Sequence, residues 1–91
     1  MTTIEVKQAD DAETRFAVRV TGDDGSASSH EVTVPDRDWE RFGRGFQTRQ
    51  QLVEASFAFL LEREPKESIL GSFELNVIAR YFPEYPTVIA H

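Results

Sequence analysis

His30-Glu31-Val32-Thr33-Val34-Pro35-Asp36-Arg37-Asp38-Trp39-Glu40-Arg41-Phe42 is the stretch on which the fold turns, because the spacing of its apolar residues changes in the middle. Up to Val34 the apolar side chains alternate: Val32 and Val34 share a side with His30, and Glu31 and Thr33 take the other. Period two in β-branched residues is the pattern of a strand with one buried face. Beyond Pro35, Trp39 and Phe42 stand three apart, a helical spacing. Asp36 can cap the segment Arg37 to Phe42, and Gly43 can close it at the C′ position.

Towards the N-terminus the period stays at two. Phe16, Val18 and Val20 alternate with Arg15, Ala17 and Arg19, and Ile4 and Val6 alternate with Thr3, Glu5 and Lys7. Between these runs, residues 9–13 and 22–29 are rich in Asp, Gly and Ser, which make turns. The simplest arrangement is a three-stranded antiparallel meander, apolar on one face, with Arg15 or Arg19 opposite Glu31 or Glu5 on the other.

Towards the C-terminus the helical period takes over. Thr48 followed by Gln51 has the spacing of a capping box and opens a helix over about Arg49 to Glu64. Leu52, Val53, Ser56, Phe57, Leu60 and Leu61 form its wide apolar stripe. Pro65 stops it or starts the next one, Lys66 to Leu70 allow one helical turn, and Gly71 can end that turn. Ser72 is placed to cap a last helix with Leu75, Ile78, Ala79 and Phe82 on one side, and Pro83 and Pro86 are expected to end regular structure. Strands first and helices after is an α+β order, with two to four C-terminal helices packed on the apolar face of the meander. The expected core is Ile4, Val6, Phe16, Val18, Val20, Val32, Val34, Trp39, Leu52, Phe57, Leu60, Leu61, Ile69, Leu75, Ile78 and Phe82.

The 91 residues suit a single small α+β domain, residues 1–91, and the 40% apolar and 29% charged shares are those of a folded chain. No Cys is present, which excludes disulfides and thiolate metal sites and leans toward the cytoplasm. The start lacks the pattern of a signal peptide, and no apolar run approaches the length of a membrane span. A net charge of −6 opposes non-specific nucleic-acid binding, which depends on neutralising phosphates.

Few residues carry recognisable chemistry. Apart from the terminal His91, His30 is the sole histidine, so it lacks the partners of a base or ligand and reads as a strand-end residue bonding locally. Asp10-Asp11 and Asp23-Asp24-Gly25 lack EF-hand spacing and read as solvated turns. No P-loop and no G-x-S-x-G elbow occurs, so no catalytic residue, cofactor or metal is expected.

Two groups remain. Arg37, Arg41, Arg44 and Arg49 are four of the ten basic residues in one short stretch. Arg44, Thr48 and Arg49 are candidates for an anion site at a helix start, against the plainer reading of surface ion pairs. Tyr81-Phe82-Pro83-Glu84-Tyr85-Pro86 concentrates aromatic surface. It is covered either by its own chain or by a partner, and Tyr81 and Tyr85 are the candidate interface residues.

The run Phe16-Ala17-Val18-Arg19-Val20, then Asp24-Gly25, Val32-Thr33-Val34-Pro35-Asp36, and Thr48 before a helix with Leu52-Val53-Glu54-Ala55 resembles the front of HicB-type antitoxins. Those begin with a hairpin, a strand ending in Pro-Asp, and a helix. The likeness covers about the first two thirds of the chain and departs from the pattern between Pro35 and Thr48. A basic DNA-binding tail is not evident. The expected function is a small cytoplasmic, non-enzymatic protein-interaction domain that binds a protein partner or itself, with no membrane and with nucleic acid disfavoured. The alternative is an antitoxin-like or DNA-associated regulatory module.

Overall fold

A computed structural model describes residues 2–89. The expected meander is present: β1 (Thr3–Gln8), β2 (Arg15–Thr21) and β3 (Ala27–Thr33) pair antiparallel in sequence order. Glu5 lies opposite Arg19, and Ala17 opposite Glu31. One face buries Phe16, Val18, Val20 and Val32, with Val34 just beyond β3, while Ala17, Arg19, Ser29 and Glu31 are exposed on the other. The β2–β3 turn uses Gly25 at φ 84°, a conformation open to glycine and costly for other residues.

Helices follow. α1 (Asp36–Phe42) begins after Pro35, and Asp36 is its first residue rather than its cap. Gly43 closes it at φ −82°, so positive φ is not the reason for glycine here. The reason is close approach: a Cβ at Gly43 would sit 2.4 Å from the Trp39 ring and 2.5 Å from its carbonyl oxygen. α2 (Arg49–Leu61) starts as expected, with the Thr48 hydroxyl accepting from Gln51 N–H at 3.2 Å. The Gln51 side chain in return accepts from Gln47 N–H at 2.9 Å. The helix ends three residues earlier than expected. Arg63 lies 3.6 Å over the Phe59 ring and donates to the Phe59 carbonyl, satisfying the helix end.

The C-terminal third departs from expectation twice. Ser72 does not cap a helix; Ser72–Glu74 is β4, a fourth strand parallel to β3, making a mixed sheet of order β1-β2-β3-β4. β3 otherwise offers a row of unpaired backbone groups, and β4 takes them up: Glu31 N–H donates to the Gly71 carbonyl and Leu75 N–H to the Thr33 carbonyl. Helical structure resumes only at α3 (Val77–Tyr81). Pro83 and Pro86 do not end regular structure either, since α4 (Tyr85–Ile89) follows, with Pro86 in the first turn where a missing N–H leaves no bond unmade. A single turn of 3-10 helix, Lys66–Ser68, bridges α2 and β4.

α2 lies against the apolar face of the sheet. It buries Leu52, Val53, Ser56, Phe57, Phe59 and Leu60. Ile4, Val6, Trp39, Leu61 and Phe82 flank the core half-buried rather than inside it, while Phe42, Val53, Phe59, Tyr85 and Ile89 join it. The outer edge of β1 is partly closed by Gln50, whose amide donates to the Val6 carbonyl at 3.1 Å. Among the described residues no helix is long and apolar enough to cross a membrane.

Candidate functional site

Among the described residues an apolar concavity lies where α2 ends, beside β4. Its volume is about 350 Å³. Leu60 and Glu64 form one wall, Ile69 and Leu70 another, Phe73 of β4 the roof, and Val77, Ile78 and Tyr81 of α3 the far side. Of these, Leu60, Ile69 and Ile78 are buried, whereas Leu70 is 46% exposed and Tyr81 67%. Pro65 ends the first wall, and the parallel return of β4 brings Leu70 and Phe73 alongside it.

His30 fixes one side of this groove. It is buried, its ring 5.4 Å from that of Phe57, and its Nδ1 lies 2.8 Å from the Leu70 carbonyl. A carbonyl only accepts, so Nδ1 carries hydrogen; in the neutral ring Nε2 then accepts from the Ser28 hydroxyl at 2.7 Å. A hydroxyl, an imidazole and an orienting carbonyl in line resemble a nucleophile with its base. Neither Ser28 nor His30 lines the groove, however, and what the bonds do here is clasp the segment before β4 onto β3.

The aromatic tail divides. Tyr81 is exposed on the rim of the groove. Tyr85 is a correction: it is fully buried, its ring 5.1 Å from that of Phe42 and 5.2 Å from that of Phe59, with its hydroxyl 2.7 Å from Ser56 Oγ. α4 turns it inward, so it anchors the C-terminal segment to the core instead of meeting a partner. Burial pushes the Tyr85 hydroxyl pKa well up. His91, at the chain end, lies outside the described residues.

The arginine stretch also divides. Arg49 donates through Nε to the Val34 carbonyl at 3.1 Å and through Nη2 to Asp36, tying the end of β3 to the start of α2. Thr48 and Arg49 line a shallow polar hollow with Gln8, Glu13, Phe16 and Gln50, in which Arg44 has no part. Arg37 and Arg41 instead meet Arg80 of α3 around a second polar hollow of about 420 Å³, with Asp38, Glu74, Asn76 and Ala79. Asp38 is buried there and accepts from the backbone and side-chain nitrogens of Asn76 at 3.1 and 3.0 Å. Glu74 accepts from Arg37 at 2.6 Å and from Asn76 at 2.9 Å.

Leu70, Phe73, Val77 and Arg80 were outside the sequence-based candidates. Val77 and Tyr81, four apart, carried a helical signal, but Leu75, Ile78 and Phe82 make the stronger stripe. Among the described residues no three His, Asp or Glu side chains are placed to hold a metal ion. No family model, no curated protein and no solved structure matches this chain.

Proposed function

We propose that the chain is a non-enzymatic protein-interaction domain that takes apolar side chains of a protein partner into the groove between α2, β4 and α3. The observation that carries this reading is the exposed pair Leu70 and Tyr81 on the rim of a concave apolar surface. Exposed apolar residues arranged around a hollow are the usual form of an anchor site, and Tyr is favoured at such rims because it loses little freedom on binding. A cytoplasmic setting is part of the proposal and rests on the absence of Cys. The antitoxin-like alternative draws on the hairpin, the Pro35-Asp36 junction and the helix after it, and a net charge of −6 weighs against its DNA contact.

Photo-crosslinking tests the proposal. A photoreactive phenylalanine analogue at Leu70 or Tyr81 in cells should give a defined protein adduct that the same analogue at Arg19, on the exposed sheet face, does not. Sedimentation equilibrium of the purified chain then separates a second copy from a different partner. Adducts of equal yield and pattern from Arg19 and from the groove rim would refute the site.

A further inference from the structure

We infer that the segment docking in the groove is acidic as well as apolar, and that Arg41 and Arg80 receive its carboxylate; this rests on the groove being the partner site. α3 is the shared wall. Val77, Ile78 and Tyr81 line the groove, and Arg80, next to Tyr81 in the last turn, lines the polar hollow on the helix's other side. A residue held against Tyr81 therefore places its sequence neighbours above Arg80.

The hollow draws a negative group. It holds three guanidiniums against two carboxylates, a surplus of positive charge on a chain of net −6. Both carboxylates are already engaged: Asp38 by Asn76, and Glu74 by Arg37 and Asn76. Among the described residues neither Arg41 nor Arg80 forms an ion pair. Arg41 lies over the Phe42 ring at 4.7 Å, which steadies the guanidinium and leaves N–H groups for an acceptor. The forked donors of arginine suit a planar carboxylate. The opposite wall sets the direction: Glu64 lines the groove on the α2 side, so an acidic residue is repelled there and accepted beyond α3. The occupant is thus a partner segment whose apolar residues enter the groove with an Asp or Glu leaving it on the Arg80 side.

Selection from a phage-displayed random peptide library tests this. The full chain is compared with Arg41→Gln/Arg80→Gln and with Leu70→Ser/Tyr81→Ser, all four changes being at surface positions and each protein checked by thermal unfolding. The full chain should enrich apolar peptides bearing Asp or Glu. The arginine variant should keep the apolar preference and lose the acidic one. A synthetic peptide from the selected set should bind the arginine variant about tenfold more weakly at low salt, with a smaller difference at high salt. Apolar peptides that are neutral or basic, or acidic enrichment that survives in the arginine variant, overturn the inference and leave the groove standing. No enrichment of apolar peptides over the Leu70→Ser/Tyr81→Ser protein overturns the groove, and the inference with it.

Discussion

The Ser56 hydroxyl has one hydrogen, and the Leu52 carbonyl accepts it at 2.7 Å. The Tyr85 O–H must therefore donate to Ser56 Oγ. Removing either partner alone has unequal consequences. Ser56→Ala strands a buried phenol and should cost about 1–3 kcal/mol, whereas Tyr85→Phe leaves Ser56 with its own acceptor and should cost about 1 kcal/mol. The double change should cost less than the sum of the two, by urea denaturation. The same burial gives Tyr85 a pH signature. Its folded pKa is raised above the ordinary value of 10.0, so the folded chain holds this proton more tightly than the unfolded chain. The contribution of Tyr85 to stability is then complete below pH 10 and is lost as pH rises beyond it. The stability difference between the natural chain and Tyr85→Phe should be level below that point and shrink above it; a difference that grows with pH contradicts this. At Gly43 space decides. Gly43→Ala should displace the Trp39 ring, cost about 1–3 kcal/mol and change the near-UV circular dichroism of Trp39.

Among the elements α2 should dominate stability. Leu60 is 3% exposed, and Leu60→Ala is expected to cost about 2–5 kcal/mol in chemical denaturation. Thr48→Ala, which removes the cap, should cost about 1 kcal/mol. Both elements and cap are legible in the sequence, because a stripe from Leu52 to Leu60 and a Thr followed by Gln51 are local signals. β1 to β3 are legible for the same reason. β4 is not: Ser72-Phe73-Glu74 has no strand character beyond one alternation, and it becomes a strand only because β3 presents an open edge. Local spacing cannot express that non-local cause. The burial of Tyr85 was missed on similar grounds, since Pro86 suggests a break and only packing against the Phe42 and Phe59 rings turns the phenol inward. The exposure of Tyr81 was legible because Ile78 and Phe82 take the inner face, whereas Arg80 meets Arg41 from 39 positions away and Arg37 from 43, and no sequence pattern pairs them.

Across the whole molecule, acid should act through a handful of surface carboxylates. The Arg15 hydrogen bond and charge hold Asp11 below its ordinary pKa, the Ser26 hydroxyl does so for Asp24, and Lys66 for Glu67. Glu84 is lowered by its own backbone and then by Arg63. Each is stabilising above its ordinary value and ceases to be so as pH falls through the lowered one. The denaturation midpoint should therefore decline below about pH 4. Lys66→Gln should lessen that decline, and a midpoint that rises on acidification would contradict the assignment. The parallel strand has a different consequence, in time. β3 is complete at Thr33, but the strand that covers its edge ends at Glu74. At synthesis rates of about 5–20 residues per second, the ribosome needs roughly 2–8 s to make the intervening chain. During that interval a nascent meander carries an uncovered edge and an apolar face without α2, and it is then, rather than in the finished protein, that this chain is most exposed to mispairing with its neighbours.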